Sequence, residues 1–108
     1  LLRRGEMTRF YIKFKKNPLT TPTDPAEQVK LWMTLLGNVK KDLASGGLTD
    51  WGDGVDIKEG YCISELDEEK LHTLMLKYVP FILFDIKPVL TVDQVMESIQ
   101  RVVRAQSH

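Results

Sequence analysis

The sequence predicts an α+β domain: a four-stranded antiparallel sheet with two helices on one face, and a further helix at its C-terminal end. Three observations lead there. A stretch near the start alternates apolar and polar residues with period two. Two stretches with helical period are each bracketed by strand-like runs. The resulting element order is β-α-β-β-α-β.

In "TRFYIKFKK", Phe10, Ile12 and Phe14 point one way and Arg9, Tyr11, Lys13 and Lys15 the other, which is a strand with one strongly buried face. "NPLTTPTDP" follows, a loop made by its prolines and turn-formers. Asp24, Pro25 and Glu27 then open a helix, because Asp accepts orphan amide bonds, Pro suits the first helical position and Glu complements the first turn. Val29, Trp32, Leu36, Val39 and Leu43 recur at steps of three and four, with Leu31, Met33 and Leu35 broadening the stripe. The expectation is that this row is buried, at about 1.5–3 kcal/mol per side chain, and that Gly46 or Gly47 caps the helix.

Thr49, Trp51 and Val55 favour extended structure, and "GYCISEL" alternates as the partner strand, with Gly52 to Glu59 as a turn or bulged hairpin between them. "DEEKLHTLMLKYV" is a second helix with acids at its positive end and Leu71, Leu74, Met75 and Tyr78 on its buried face. "FILFDIKPVL" is the last strand, ending near Pro88. Thr91 and Gln94 in capping-box spacing start a final helix whose apolar residues are Val95, Met96, Ile99, Val102 and Val103. This order is the split βαβ, ferredoxin-like arrangement, in which first and last strands are neighbours.

At 108 residues and 43% hydrophobic content, the chain has room for one domain and one core. Leu1 to Glu6 are read as a tag or upstream extension before a start at Met7, with residues 7–108 as the domain. Fifteen basic and fifteen acidic side chains cancel and are interspersed, so the charge footprint of a nucleic-acid binder is missing. The single cysteine excludes an internal disulfide framework, no Cys/His spacing suits zinc, and no run approaches the ~18 apolar residues of a membrane span. The expectation is a cytoplasmic protein.

Two helices cover one sheet face, which leaves the other to be solvated, occupied by a ligand or paired. Tyr11 and Lys13 on the first strand and Asp85 and Lys87 on the last share that face, and Lys13 and Asp85 are placed to pair. Its mixed character suits a sheet that meets a second sheet, so a homodimer or larger homo-oligomer is expected.

"GYCISELDEEKLHTLMLKYVPFILFDIKPVL", Gly60 to Leu90, resembles the C-terminal half of muconolactone isomerase-like proteins, and "MTRFYIKF" is similar to their first strand, with Phe10 and Lys13 in matching places. The resemblance implies the dimeric α/β-barrel superfamily, in which two chains join through their sheets and small-molecule pockets lie between sheet and helices. Isomerases, cofactor-free oxygenases and haem enzymes belong to it. Between the helices this sequence departs from the isomerases, replacing a basic and aromatic stretch by the acidic "TDWGDGVDIKEG", Thr49 to Gly60.

Several residues are candidates for a site. Asp50, Asp53, Asp56 and Glu59 recur every three residues, but the pattern of a calcium loop is not met, so no metal is assigned and the segment reads as a hairpin. His72 is a candidate general base on the shoulder of the second helix, against the alternative of a structural histidine. Trp32, Trp51, Tyr61 and Phe81 are candidate walls of an aromatic pocket, with Trp32 preferred as core and Trp51 preferred as pocket. Cys62 is read as a small core residue before a nucleophile, and as such joins the candidate pocket wall. No Gly-rich phosphate loop or nucleophile elbow is present, and no cofactor is inferred. The expected function is binding of a small, partly apolar molecule, with cofactor-free isomerase or monooxygenase-like catalysis as its enzymatic form. The alternative is a non-catalytic association module that uses the sheet face or the last helix.

Overall fold

In the computed structural model, which describes residues 8–106, the alternation of the first strand organises the whole domain. The expectation for Leu1 to Glu6 and Met7 concerns residues outside those described. Strand β1 (Arg9–Lys16) turns Phe10 and Ile12 into the core, with Phe14 on the same side. It is followed by α1 (Pro25–Ser45), β2 (Asp50–Asp53), β3 (Gly60–Ser64), α2 (Glu68–Leu76), β4 (Ile82–Val89) and α3 (Val92–Gln106).

The four strands form one open antiparallel sheet in the order β2-β3-β1-β4, an α+β arrangement compatible with a ferredoxin-like fold. β1 is central: Ile12 faces Cys62 on β3 and Ile86 on β4, and Phe14 faces Gly60 and Phe84. Because side chains alternate, these registers put Ile12, Phe14, Cys62 and Phe84 on the helix-covered face and Tyr11, Lys13, Tyr61, Asp85 and Lys87 on the other. β4 is an edge strand, which is why it runs through Pro88 without losing a ladder bond on its outer side. Val55 lies in the turn between β2 and β3 rather than in a strand, and is fully exposed.

Both covering helices begin as their sequences require. Asp24 Oδ2 accepts from Glu27 N at 3.1 Å and Asp67 Oδ1 from Lys70 N at 2.9 Å, each satisfying an amide of the first turn. Gly46 ends α1 at φ 85°, a left-handed conformation natural to glycine. Leu71, Leu74 and Met75 of α2 are buried, and Tyr78 joins them just beyond its end.

The buried row of α1 differs from the expectation. Leu35, Val39 and Asp42 are buried and Trp32 is partly so, whereas Val29, Met33, Leu36 and Leu43 are exposed at 39–64%. The helix is rotated relative to its apolar row because Asp42 belongs inside. Its Oδ1 meets Lys77 Nζ and its Oδ2 accepts from Tyr78 Oη, each at 2.5 Å. A buried carboxylate stabilised in this way fixes which face of α1 meets the sheet.

Helix α3 starts with the reciprocal bonds of a capping box, Thr91 N to Gln94 Oε1 at 2.8 Å and Gln94 N to Thr91 Oγ1 at 3.2 Å. None of its residues is buried. The principal extents of 66 × 26 × 20 Å and a radius of gyration of 17.7 Å exceed the ~13 Å of a compact domain this long, so α3 stands away from the domain.

Candidate functional site

The sheet and helices do not close on one another completely. A cavity of about 320 Å³ remains between α1 and the sheet, within the range of about 300–1,000 Å³ typical of small-molecule sites. Phe14, Trp51, Cys62 and Phe84 enter from the strands, Trp32 and Val39 from α1, and Met75 and Tyr78 from the end of α2. Phe14 and Trp51 stack at 5.6 Å between ring centroids, and Tyr78 meets Phe84 edge-on at 6.2 Å. These contacts hold flat aromatic walls in place.

One local feature makes room for the stack. Gly60 lies opposite Phe14 on β1, and a Cβ there would run into the Phe14 ring and the Gly52 carbonyl. The strand therefore keeps glycine where the ring crosses the backbone.

The chemistry inside is sparse. Burial pushes the Cys62 thiol up from 9.0 to about 12, with the Asp42 charge adding to the effect, so it is a neutral thiol rather than a nucleophile. Burial also raises the Tyr78 phenol, as does its donated bond to Asp42, so that hydroxyl is protonated and already used. Both inward titratable groups therefore behave as neutral wall.

Charge is concentrated at the mouth, where Lys15, Lys16, Asp53, Lys58 and Glu59 join Ile57. Lys16 Nζ donates to the Ile57 carbonyl at 3.2 Å and sits 5.1 Å from the centroid of the Trp32 ring, tying the β2–β3 loop to α1. Glu59 is 4.0 Å from Lys13, a partner on the other sheet face. Ile57 itself has φ 58°, an unusual conformation for a β-branched residue, and is 66% exposed. It is an apolar side chain held at the rim by a strained turn.

The sequence candidates separate clearly. Trp32, Trp51 and Cys62 line the cavity. Tyr61 does not: next to inward-facing Cys62, it must point to the opposite face, where it stacks on Tyr11 at 6.4 Å and donates to Asp50 at 2.7 Å. That bond raises the Tyr61 phenol, and burial adds to it. Phe81 packs against the core just before β4 and is not a cavity wall. His72 is exposed on the outer side of α2 and away from the cavity, so it is not placed to act as a base there.

Tyr11, Lys13, Asp85 and Lys87 do share the open sheet face, with Lys13 opposite Asp85 and Tyr11 opposite Lys87. The ammonium of Lys13 turns instead to Glu59. The acids between the helices serve their own loop: Asp50 accepts from Trp51 N and Tyr61, and Asp56 from Lys58 N. Among the described residues no group of three or more His, Cys, Asp or Glu side chains is placed to hold a metal ion.

Asp42, Phe84 and Lys16 were not singled out from sequence. Asp42 continues the row Trp32, Leu35, Val39 at steps of three and four, a signal hidden by reading only apolar residues as core. Phe84 is signalled by alternation in the last strand, and Lys16 by no local pattern.

Comparison with known proteins adds no relative: no family model matches the chain, and no curated protein is similar to it.

Proposed function

We propose that this protein binds a small, mainly apolar ring compound in the cavity between α1 and the sheet, with the ligand's polar end at the lysine-bearing mouth. The observation that carries the reading is the cavity itself, walled by Phe14, Trp32, Trp51 and Phe84. Two flat rings stacked at its side favour a planar ligand, and the neutral thiol and phenol give an apolar surface without desolvating a charge. Three lysines against two acids at the rim, one of which already has Lys13, favour a ligand with a single anionic group. Cofactor-free catalysis in the manner of muconolactone isomerase-like proteins would need a base at the ligand; His72 is not placed there, and the carboxylates of Asp53 and Glu59 stand at the mouth rather than among the aromatic walls, so binding is the function proposed.

Two copies joined through their open sheet faces, Tyr11, Lys13, Asp85 and Lys87 included, would extend this into a dimeric α/β barrel. The mixed character of that face supports the pairing.

A thermal-shift panel of small aromatic carboxylates and their neutral analogues tests the ligand reading. At about 100 times its dissociation constant a ligand adds roughly 2.7 kcal/mol to stability. The carboxylates are expected to raise the melting temperature more than the neutral analogues, and Lys58→Ala to narrow the difference. Equal shifts for both series would remove the assigned role of the mouth.

A further inference from the structure

We infer that α3 of one chain packs antiparallel on the outward row of α1 in a second copy of the same chain. This inference does not rest on the cavity reading. Its starting point is that two helices each display an apolar row to solvent. On α3 the row is Val92, Val95, Met96, Ile99, Val102 and Val103, exposed at 42–72%. On α1 it is Val29, Met33, Leu36 and Leu43, exposed at 39–64%, with Leu36 also bordering the cavity. In a single chain both rows are uncovered at once, and α3 stands away from its own domain. An isolated helix of 15 residues is marginal in water, so α3 needs a partner to persist.

The rows match each other in spacing. Along α3 the positions 92, 95, 99, 102 and 106 step by three and four alternately. Along α1, read backwards, positions 43, 40, 36, 33 and 29 take the same steps in the same order. These are the seams of two-helix packing. Setting Leu43 beside Val92 brings Lys40 to Val95, Leu36 to Ile99 and Met33 to Val102. Lys40 tolerates such a site by laying its aliphatic stem along the seam and extending its ammonium to the edge.

Charge selects the antiparallel direction. Asp93 and Glu97 lie in the first half of α3, and Arg101, which pairs with Glu97 at 3.0 Å, and Arg104 in the second. On α1, Glu27 lies in the first turn, where it pairs with Lys30, and Lys40 and Lys41 lie towards the end. Antiparallel packing sets Asp93 and Glu97 near Lys40 and Lys41, whereas parallel packing sets the arginines there. The area is also sufficient. The α3 patch amounts to roughly 500 Å², at the upper end for a monomer's largest apolar patch. Two reciprocal contacts in a two-fold pair would bury about 1,500–2,000 Å² in total, the size of a specific stable interface.

The test is the mass of the full chain in solution by light scattering, together with directed cross-linking. Wild type is expected to be at least dimeric, with Met33→Asp and Ile99→Asp each lowering the mass. A single-chain mass for wild type, or an oligomer indifferent to both substitutions, overturns the inference. An indifferent oligomer would also direct attention to the sheet face. Cross-linking reads the geometry independently: mixing Met33→Cys chains with Val102→Cys chains is expected to give a covalent pair under mild oxidation. Met33→Cys chains that instead couple preferentially to Val92→Cys chains would overturn the antiparallel arrangement.

Discussion

Asp42 is held at its two oxygens by partners of unequal value. Tyr78 is buried and donates to one of them, while Lys77, 45% exposed at its side chain, reaches the other from the solvent side. Removing the phenol leaves a buried carboxylate short of a donor, so Tyr78→Phe is expected to cost about 1.5–3 kcal/mol in urea unfolding. Lys77→Met should cost less, about 0–1 kcal/mol, because water can take the place of a half-exposed ammonium. Cys62 gives a pH signature. Its thiol ionises at 9.0 when free of the fold and at about 12 within it, so the folded state holds that proton more tightly. The contribution is complete below about pH 9 and is lost as the pH rises towards 12. Stability of the wild type is therefore expected to fall above pH 9, and Cys62→Ala to fall less steeply over the same interval.

At the scale of elements, α1 has two rows with different duties. Leu35→Ala or Val39→Ala opens the core and is expected to cost about 2–5 kcal/mol for the leucine and somewhat less for the valine. Met33→Ala, on the outward row, should leave single-chain stability within about 0.5 kcal/mol. The strained turn between β2 and β3 is the reverse case. Ile57→Asn places a residue that tolerates φ 58° where a β-branched one now sits, and a gain of about 0.5–1 kcal/mol in thermal unfolding is expected. These elements also show how far sequence reasoning reached. Alternation in β1 identified its buried side, the Asp24 and Thr91 caps marked two helix starts through local chemistry, and the acids at the head of α2 marked a third, where the structure shows Asp67 as the cap. The orientation of α1 was not legible, because a buried Asp42 depends on Lys77 and Tyr78, 35 and 36 residues away. Tyr61 was misassigned for a simpler reason: neighbours in a strand cannot both face one cavity, and Cys62 occupies the inward position.

The molecule as a whole combines a closed core, an open cavity and two unpaired surfaces. Its core ties β1, β3, α1 and α2 together through Ile12, Cys62, Leu35 and Leu71. Cavity and core share Cys62, Val39 and Tyr78, so ligand binding and stability are coupled: a ligand supplies the contacts that the walls lack across the gap. The open sheet face and α3 lie outside this unit and are where association would occur. No helix among the described residues is long and apolar enough to cross a membrane.

The chain has two tryptophans, Trp32 and Trp51, and both line the cavity. Intrinsic fluorescence therefore reports on its occupancy directly, and the most direct measurement is a titration of the wild type and Trp51→Phe with the aromatic carboxylate that gives the largest thermal shift. A saturable change in emission, much of it lost in Trp51→Phe, is the result expected. Thermal stabilisation without any change in tryptophan emission would mean that the ligand binds elsewhere, and would contradict the assignment of the cavity as the functional site.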